Sequence, residues 1–231
     1  MKKRCNVAVV GCGYWGPNLV RNFSSLKDCQ VKFVCDLDHV RLAHMKNTYP
    51  NVETTSQCDV VFEDNDIDAV AIATPVSSHH ELASKSLMAG KHTFVEKPMA
   101  TSVAQCRELI GVAESKGLTL MVGHTFVYSA PVRKIKEIVD VGDIGELLYI
   151  NSQRLNLGLF QKDINVAWDL APHDISIILF VMGEPPVAVN CQGKAHINGG
   201  IEDVTNMSLT FPNGGFATIP VSYTHLTLPT N

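Results

Sequence analysis

The chain has 231 residues, 45% of them hydrophobic and 18% charged, with a formal net charge of -4. These proportions are those of an ordinary folded protein and exclude a disordered chain, while the acidic balance disfavours nucleic acid or an anionic membrane surface as partner. No apolar run approaches the ~20 residues that span a bilayer, and the basic start Met1-Lys2-Lys3-Arg4 runs into a short strand rather than the sustained apolar stretch of a signal peptide. The seven cysteines are odd in number and irregularly spaced, with no C-x-x-C, which fits reduced thiols in the cytoplasm rather than a disulfide framework or a zinc site.

In chain order, Val7–Val10 is an apolar run ending in glycine, a buried strand by its length and flanks. A helix is predicted from Pro17 to about Leu26, with proline in the first turn, where its missing N–H costs nothing. Val31–Cys35 reads as a second strand, Asp38 to Thr48 as a helix, Val60–Phe62 as a short strand or turn, and Asp64–Asp68 as an acidic connector. Ala69–Ala73 is a third buried strand, and Ser78–Ala89 a helix stopped by Gly90. His92–Val95, a helix over Ser102–Lys116 closed by Gly117, and Leu118–Val122 complete this part. Short apolar strands alternating with amphipathic helices imply a doubly wound parallel sheet covered on both faces.

After Gly123 the pattern changes. Helices are predicted over Pro131–Val141 and Ala167–Met182, and strands over Leu147–Leu155, Val187–Ile197, Asn206–Phe211 and from Phe216 onward, after the turn at Pro212–Gly215. The expectation is an α/β Rossmann domain over residues 1–123 followed by an incomplete α+β domain with a mostly antiparallel sheet over 124–222. Residues 223–231 complete no hydrophobic pattern, and a sheet edge left open is unusual, so they are expected to be a foreign tail.

Gly11-Cys12-Gly13-Tyr14-Trp15-Gly16 fits G-x-G-x-x-G between a predicted strand and a predicted helix, the context that gives the motif meaning. Gly11 would permit the tight turn, Gly13 the approach of a pyrophosphate to the backbone, and Gly16 close packing of helix on strand. The helix N-terminus offers N–H groups to phosphate, and Tyr14 and Trp15 complete the candidate cofactor loop. Asp36 ends the second strand 20 residues after Gly16. A carboxylate there accepts hydrogen bonds from ribose hydroxyls and repels a 2′-phosphate, so the expected cofactor is NAD rather than NADP. Thr74 and Pro75 follow the third strand, at the end of the sheet that faces ligand. His79 is either a further cofactor contact or a histidine satisfied at the start of its helix. Glu96-Lys97-Pro98 follows the fourth strand and directs a lysine into the same crevice. In the second part Asp169 and His173 stand four apart and share one helix face. A histidine there can take a proton from an alcohol, with the carboxylate orienting it. Pro172 leaves a second account open, in which Asp169 caps a helix start and His173 simply packs. Nothing in the chain has the spacing of a metal site.

Together the glycine loop, Asp36, Ala73-Thr74-Pro75 with His79, Gly90-Lys91-His92, Glu96-Lys97-Pro98 and Asp169/His173 resemble the glucose–fructose oxidoreductase/inositol dehydrogenase (Gfo/Idh/MocA) family. The matched pieces span the chain to about Ser222, and the E-K-P segment after a fourth Rossmann strand is the specific part. The resemblance implies that Lys97 contacts both nicotinamide and substrate. It implies that Asp169 and His173 complete the active site, with His173 as acid/base, and that the Lys97–Pro98 peptide is cis. Within the family, GYWGPNLVRNF and WDLAPHDISI look like the branch that oxidises the 3-hydroxyl of UDP-linked N-acetylhexosamines or their uronic acids for surface polysaccharides; other branches act on inositols and free sugars. Arg154 and Asn156 are candidate substrate contacts by position, although a salt bridge on the strand face accounts for Arg154 equally well. Family members run further, so the resemblance also implies a missing C-terminal part and a homo-oligomer for the full-length form. A non-catalytic NAD(H)-binding regulator would keep the glycine loop and Asp36 but has no need of Lys97, Asp169 and His173.

Overall fold

The computed structural model describes residues 4–155, 157, 160, 164–197 and 199–224. The chain divides into two compact units, Met1–Gly123 and His124–Asn231.

The first unit runs β1 (Cys5–Val10), α1 (Gly16–Ser25), β2 (Cys29–Cys35), α2 (His39–Thr48), β3 (Glu53–Thr55), α3 (Cys58–Glu63), β4 (Ala69–Ile72), α4 (His79–Met88), β5 (His92–Val95), α5 (Val103–Lys116) and β6 (Leu120–Val122). The six strands are parallel, in the order β3-β2-β1-β4-β5-β6. Alternate residues of a strand point to opposite faces, and β1 shows the consequence. Val7 and Val9 join one apolar core with Leu19, Val20 and Leu42, while Ala8 and Val10 join another with Leu87 and Leu109. Burial on both faces is why these strands read as continuous apolar runs instead of alternating ones.

The helix ends follow local chemistry. The Asp38 side chain accepts from the Val40 and Arg41 amides to cap α2, and Ser102 accepts from Gln105 to cap α5, which stops at left-handed Gly117. α1 differs: it has proline in its first turn and no side-chain cap. Two elements depart from expectation. β3 is a sixth strand at the sheet edge, and the segment expected as a strand or turn at Val60–Phe62 is helical, within α3. Val61 and Phe62 are buried in the core on that helix, so packing overrides the β-branched preference.

The second unit contains α6 (Ala130–Asp140), β7 (Tyr149–Asn151), β8 (Arg154–Leu155), α7 (Val166–Met182), β9 (Ala188–Lys194), β10 (Val204–Thr210) and β11 (Phe216–Ser222). β11, β10 and β9 are antiparallel neighbours, and β7 and β8 pair in parallel with β11. Met207, Leu209, Ala217, Ile219 and Val221 face α7 residues Val166, Ala171 and Ile178 across one core. The single strand expected over Leu147–Leu155 is broken in two, where the Ser152 side chain turns to Asp174. Packing also continues past the expected boundary at residue 222, because Tyr223 is buried and its amide donates to the Asp203 carbonyl. Residues 225–231 of the expected foreign tail lie outside the described residues. No helix among the described residues is long and apolar enough to cross a membrane.

Candidate functional site

The order of the first sheet puts β1 beside β4, with β2 and β3 continuing to one side and β5 and β6 to the other. Ligands of open α/β sheets bind at this point, beyond the carboxyl ends of the strands. The glycine loop leaves β1 there, Thr74 and Pro75 leave β4, and Glu96 and Lys97 leave β5.

The three glycines of the loop stand in three different surroundings. Gly11 has φ +94°, and a Cβ on it would meet the Ala73 carbonyl at 2.7 Å. At Gly16 a Cβ would lie 1.9 Å from the Gly11 carbonyl oxygen, so the start of α1 packs directly on the turn. A Cβ on Gly13 would be unobstructed, the first atom it meets being the end of the Arg41 guanidinium at 3.7 Å. Tyr14 is almost fully exposed and Trp15, partly exposed, provides the N-cap of α1.

Asp36 closes the other side of the loop. Its Oδ2 accepts from the Cys12 amide and its Oδ1 from the Asp38 amide at 2.8 Å, with the Arg41 guanidinium 3.8 Å from Oδ2. Two amides and a cation hold the carboxylate at the tip of β2. Burial, reinforced by the Asp36 charge, pushes the neighbouring Cys12 thiol up to about 12, so it remains a packed thiol. These features fit NAD: space at Gly13 for a pyrophosphate, uncapped N–H groups at α1, and a held acid at the ribose position. Replacing Asp36 with alanine is expected to weaken NADH binding roughly tenfold and to narrow the preference over NADPH, read by titrating cofactor fluorescence. Unchanged preference would remove Asp36 as the discriminator.

Glu96 is drawn toward the loop, where the Trp15 side chain hydrogen-bonds it, and its carboxyl lies against Gly123. Its Oε1 is buried with no hydrogen-bond partner among the described residues. Burial, the largest influence, pushes this carboxyl above its ordinary range. The Lys97–Pro98 peptide is cis, as the resemblance implied. Thr74 accepts a hydrogen bond from Ser78 at 2.8 Å, and Pro75 is exposed beside it.

Of the two accounts of His79, cofactor contact or satisfied histidine at the start of its helix, the geometry fits the second: it is 2% exposed, with Nδ1 2.8 Å from the Pro98 carbonyl and Nε2 2.8 Å from the Thr74 carbonyl. Both ring nitrogens face backbone carbonyls, and the neutral ring donates to one of them at a time, so the side chain ties the segment after β5 to the end of β4. Burial pushes its pKa down, and the two carbonyls pull it back only in part. The folded chain therefore holds fewer protons than the unfolded one between the lowered value and about 6.5. The contribution is complete above about pH 6.5 and is lost as pH falls below it. The difference in thermal midpoint between wild type and His79→Gln, measured by circular dichroism, is expected to shrink from about pH 7.5 to about pH 5.5.

In the second unit α7 runs through Pro172 without a break, and its N-cap is Asn165, whose side chain accepts from the Trp168 amide. Asp169 is therefore not the cap. It lies in the first turn, where its Oδ2 accepts from the Tyr223 hydroxyl, and His173 follows one turn later, edge-on to Phe126 with ring centroids 4.9 Å apart. Arg154, a candidate substrate contact, gives its charge to Asp174: Nε donates to Oδ2 at 2.6 Å and a terminal nitrogen to Oδ1 at 3.3 Å. The strand-face salt bridge is what the structure shows, and Asp174 is the residue that sequence reasoning missed. Asn156 lies outside the described residues. Among the described residues there is no group of three or more histidine, cysteine or acidic side chains able to hold a metal.

This combination of fold and loop defines an NAD-binding Rossmann oxidoreductase. Residues 5–124 match the model of the Gfo/Idh/MocA oxidoreductase family, NAD-binding Rossmann fold, and residues 132–227 match the Gfo/Idh/MocA C-terminal domain. The chain belongs to that family. It is 29% identical over 229 residues to the uncharacterized oxidoreductase YrbE of Bacillus subtilis (strain 168), covering 95% of this chain and 67% of the relative. It is 26% identical over 226 residues to D-apiose dehydrogenase of Rhizobium rhizogenes (strain K84 / ATCC BAA-868), covering 94% and 65%. Among solved structures, GenD2 from gentamicin A biosynthesis in complex with NAD superposes with a TM-score of 0.91 at 22% identity, covering 99% of this chain and 68% of that one. The chain thus spans about 60–67% of the length of the first curated relatives it matches.

Proposed function

We propose that the chain is the greater part of an NAD-dependent dehydrogenase that oxidises a hydroxyl of a sugar, in the first instance the 3-hydroxyl of a UDP-linked N-acetylhexosamine or its uronic acid. The observation that supports it most is the hydrogen bond between Trp15 and Glu96. It joins the glycine loop to the E-K-P segment and so keeps Lys97, the next residue, beside the cofactor loop. As a cation, a lysine there stabilises the oxygen of an alcohol becoming a ketone.

In this reading His173 accepts the hydroxyl proton and Asp169, on the same helix face, orients it. Gly13 and the start of α1 hold the pyrophosphate, Asp36 the ribose, and Thr74, Pro75 and Glu96 line the rest of the cofactor position. When bound, NAD supplies the hydride acceptor. The substrate branch rests on the likeness of GYWGPNLVRNF and WDLAPHDISI; the D-apiose dehydrogenase among the relatives supports free sugars as the competing class. The setting is the reducing cytoplasm, with a homo-oligomer as the assembled form.

The test is NADH formation by the protein with NAD and UDP-N-acetylglucosamine, its uronic acid, myo-inositol or free aldoses. Turnover is expected on the UDP-sugars and is expected to fall about a hundredfold or more in Lys97→Ala and in His173→Ala, with NADH affinity retained within a few-fold. Turnover confined to free sugars or inositol would move the substrate class. Unchanged turnover in both variants would overturn the catalytic assignment.

A further inference from the structure

Two thiols that the dehydrogenase reading does not use lie against each other at the carboxyl end of β2. The Sγ atoms of Cys35 and Cys58 are 3.4 Å apart. Cys35 is the last residue of β2, 1% exposed, and Cys58 opens α3 and is half-buried. We propose that Cys35 and Cys58 are a peroxide-responsive thiol pair whose oxidation to a disulfide weakens cofactor binding at the adjoining Asp36.

The pair divides into two roles. Cys58 is only half-buried, and the hydrogen bond it shares with Cys35, aided by the nearby Lys85 ammonium, holds its thiol below the ordinary range. Cys35 is the buried partner, and its thiol is pushed up. The partly exposed thiolate is the one a peroxide meets, and the buried thiol resolves it. The Cys58 sulfur attacks one oxygen of hydrogen peroxide, the O–O bond breaks, and hydroxide leaves and takes up the proton that Cys58 has released. The Cys35 sulfur then attacks the Cys58 sulfenic sulfur. The S–O bond breaks, and the hydroxyl leaves as water with the Cys35 proton. In sum two thiols lose two electrons and two protons, and the peroxide becomes two waters.

The consequence for the cofactor follows from what else Cys35 holds. Its carbonyl accepts from the Gly11 amide at 2.8 Å, and the next residue, Asp36, accepts from the Cys12 amide. The Asp36 amide in turn donates to Thr55, three residues before Cys58. A disulfide requires the sulfurs to close from 3.4 Å to about 2.05 Å. It also closes a covalent ring around residues 36–57, which contain Asp36, Asp38 and Arg41. The movement falls where β2 is hydrogen-bonded to the glycine loop, and a small displacement there changes how Asp36 meets a ribose. The binding part of the inference rests on Asp36 as the ribose acid; the thiol chemistry does not.

The experiment treats the full chain with hydrogen peroxide, quenches and alkylates it, maps disulfides by mass spectrometry, and titrates NADH before and after treatment and again after dithiothreitol. Expected are a Cys35–Cys58 linked peptide, an NADH affinity lowered roughly threefold or more, and full recovery on reduction. Cys58→Ser is expected to bind NADH as the untreated protein does and to keep that affinity through peroxide. Cys35→Ser is expected to stop at a Cys58 sulfenic acid that dimedone traps. Absence of the linked peptide, or its formation with no change in NADH affinity, would overturn the proposal. If Asp36→Ala leaves NADH binding unchanged in the reduced protein, the ribose assignment fails instead, and the mapped disulfide reports on the thiol pair separately.

Discussion

Gly16→Ala is expected to lower the stability of the chain by about 3 kcal/mol or more and to abolish NADH binding, whereas Gly13→Ala is expected to leave stability unchanged and lose binding alone. The two glycines belong to one motif and differ only in what surrounds them. A Cβ on Gly16 would sit 1.9 Å from the Gly11 carbonyl oxygen and 2.9 Å from its carbon. Gly11 cannot retreat, since its own Cα already faces the Ala73 backbone so closely that a Cβ there would lie at 2.7 Å. Relief requires α1 to move off β1, and with it Leu19 and Val20, which are buried in the core on that face. A Cβ on Gly13 meets no atom nearer than 3.7 Å, and that atom is the end of the mobile Arg41 side chain. This is the side from which a pyrophosphate would approach the backbone, so the methyl group competes with ligand rather than with the protein's own packing. Thermal unfolding by circular dichroism and NADH titration on both variants measure the split. A Gly13→Ala protein that binds NADH like wild type would mean the cofactor does not pass over this residue.

The same contrast explains what was legible in the sequence. The glycine loop and the buried strands could be read because backbone geometry and burial on both faces leave almost no choice of residue type. β3 could not: Glu53–Thr55 is a short, largely uncovered edge strand and carries no apolar signal. Val60-Val61-Phe62 carried the wrong signal, since β-branched residues suggested a strand where the core needed one helical face. His79 was ambiguous because its partners, the carbonyls of Thr74 and Pro98, are brought together only by the adjacency of β4 and β5. Asp174 did leave a trace. It stands three residues after Ala171 and four before Ile178, both buried, so it lies on the core face of α7, where an acid demands a partner.

That partner sets up a second large effect, with an asymmetry that identifies what Arg154 does. Asp174 is 4% exposed at its side chain and Arg154 26%. The carboxylate also accepts from the Ser152 hydroxyl at 2.7 Å, and the guanidinium lies over the Phe126 ring, 5.3 Å from its centroid. Arg154→Met is expected to cost about 3 kcal/mol, because it leaves a buried carboxylate with one hydroxyl for company. Asp174→Ala is expected to cost less, about 1–2 kcal/mol, because the arginine left behind can turn its charged end to water along its flexible stem. Replacing both, as Arg154→Met with Asp174→Leu, is expected to recover much of the loss, since a buried ion pair is replaced by apolar groups of similar bulk. The chain has two tryptophans, Trp15 in the first unit and Trp168 in the second, so urea unfolding followed by fluorescence in a Trp15→Phe background reports on the second unit alone. Phe126 lies between the Arg154 guanidinium and the His173 ring, and the pair therefore also sets the wall against which the proposed base is held. If Arg154 instead serves substrate directly, Arg154→Met will leave stability near wild type and raise KM, and the order of the two single variants in urea will reverse.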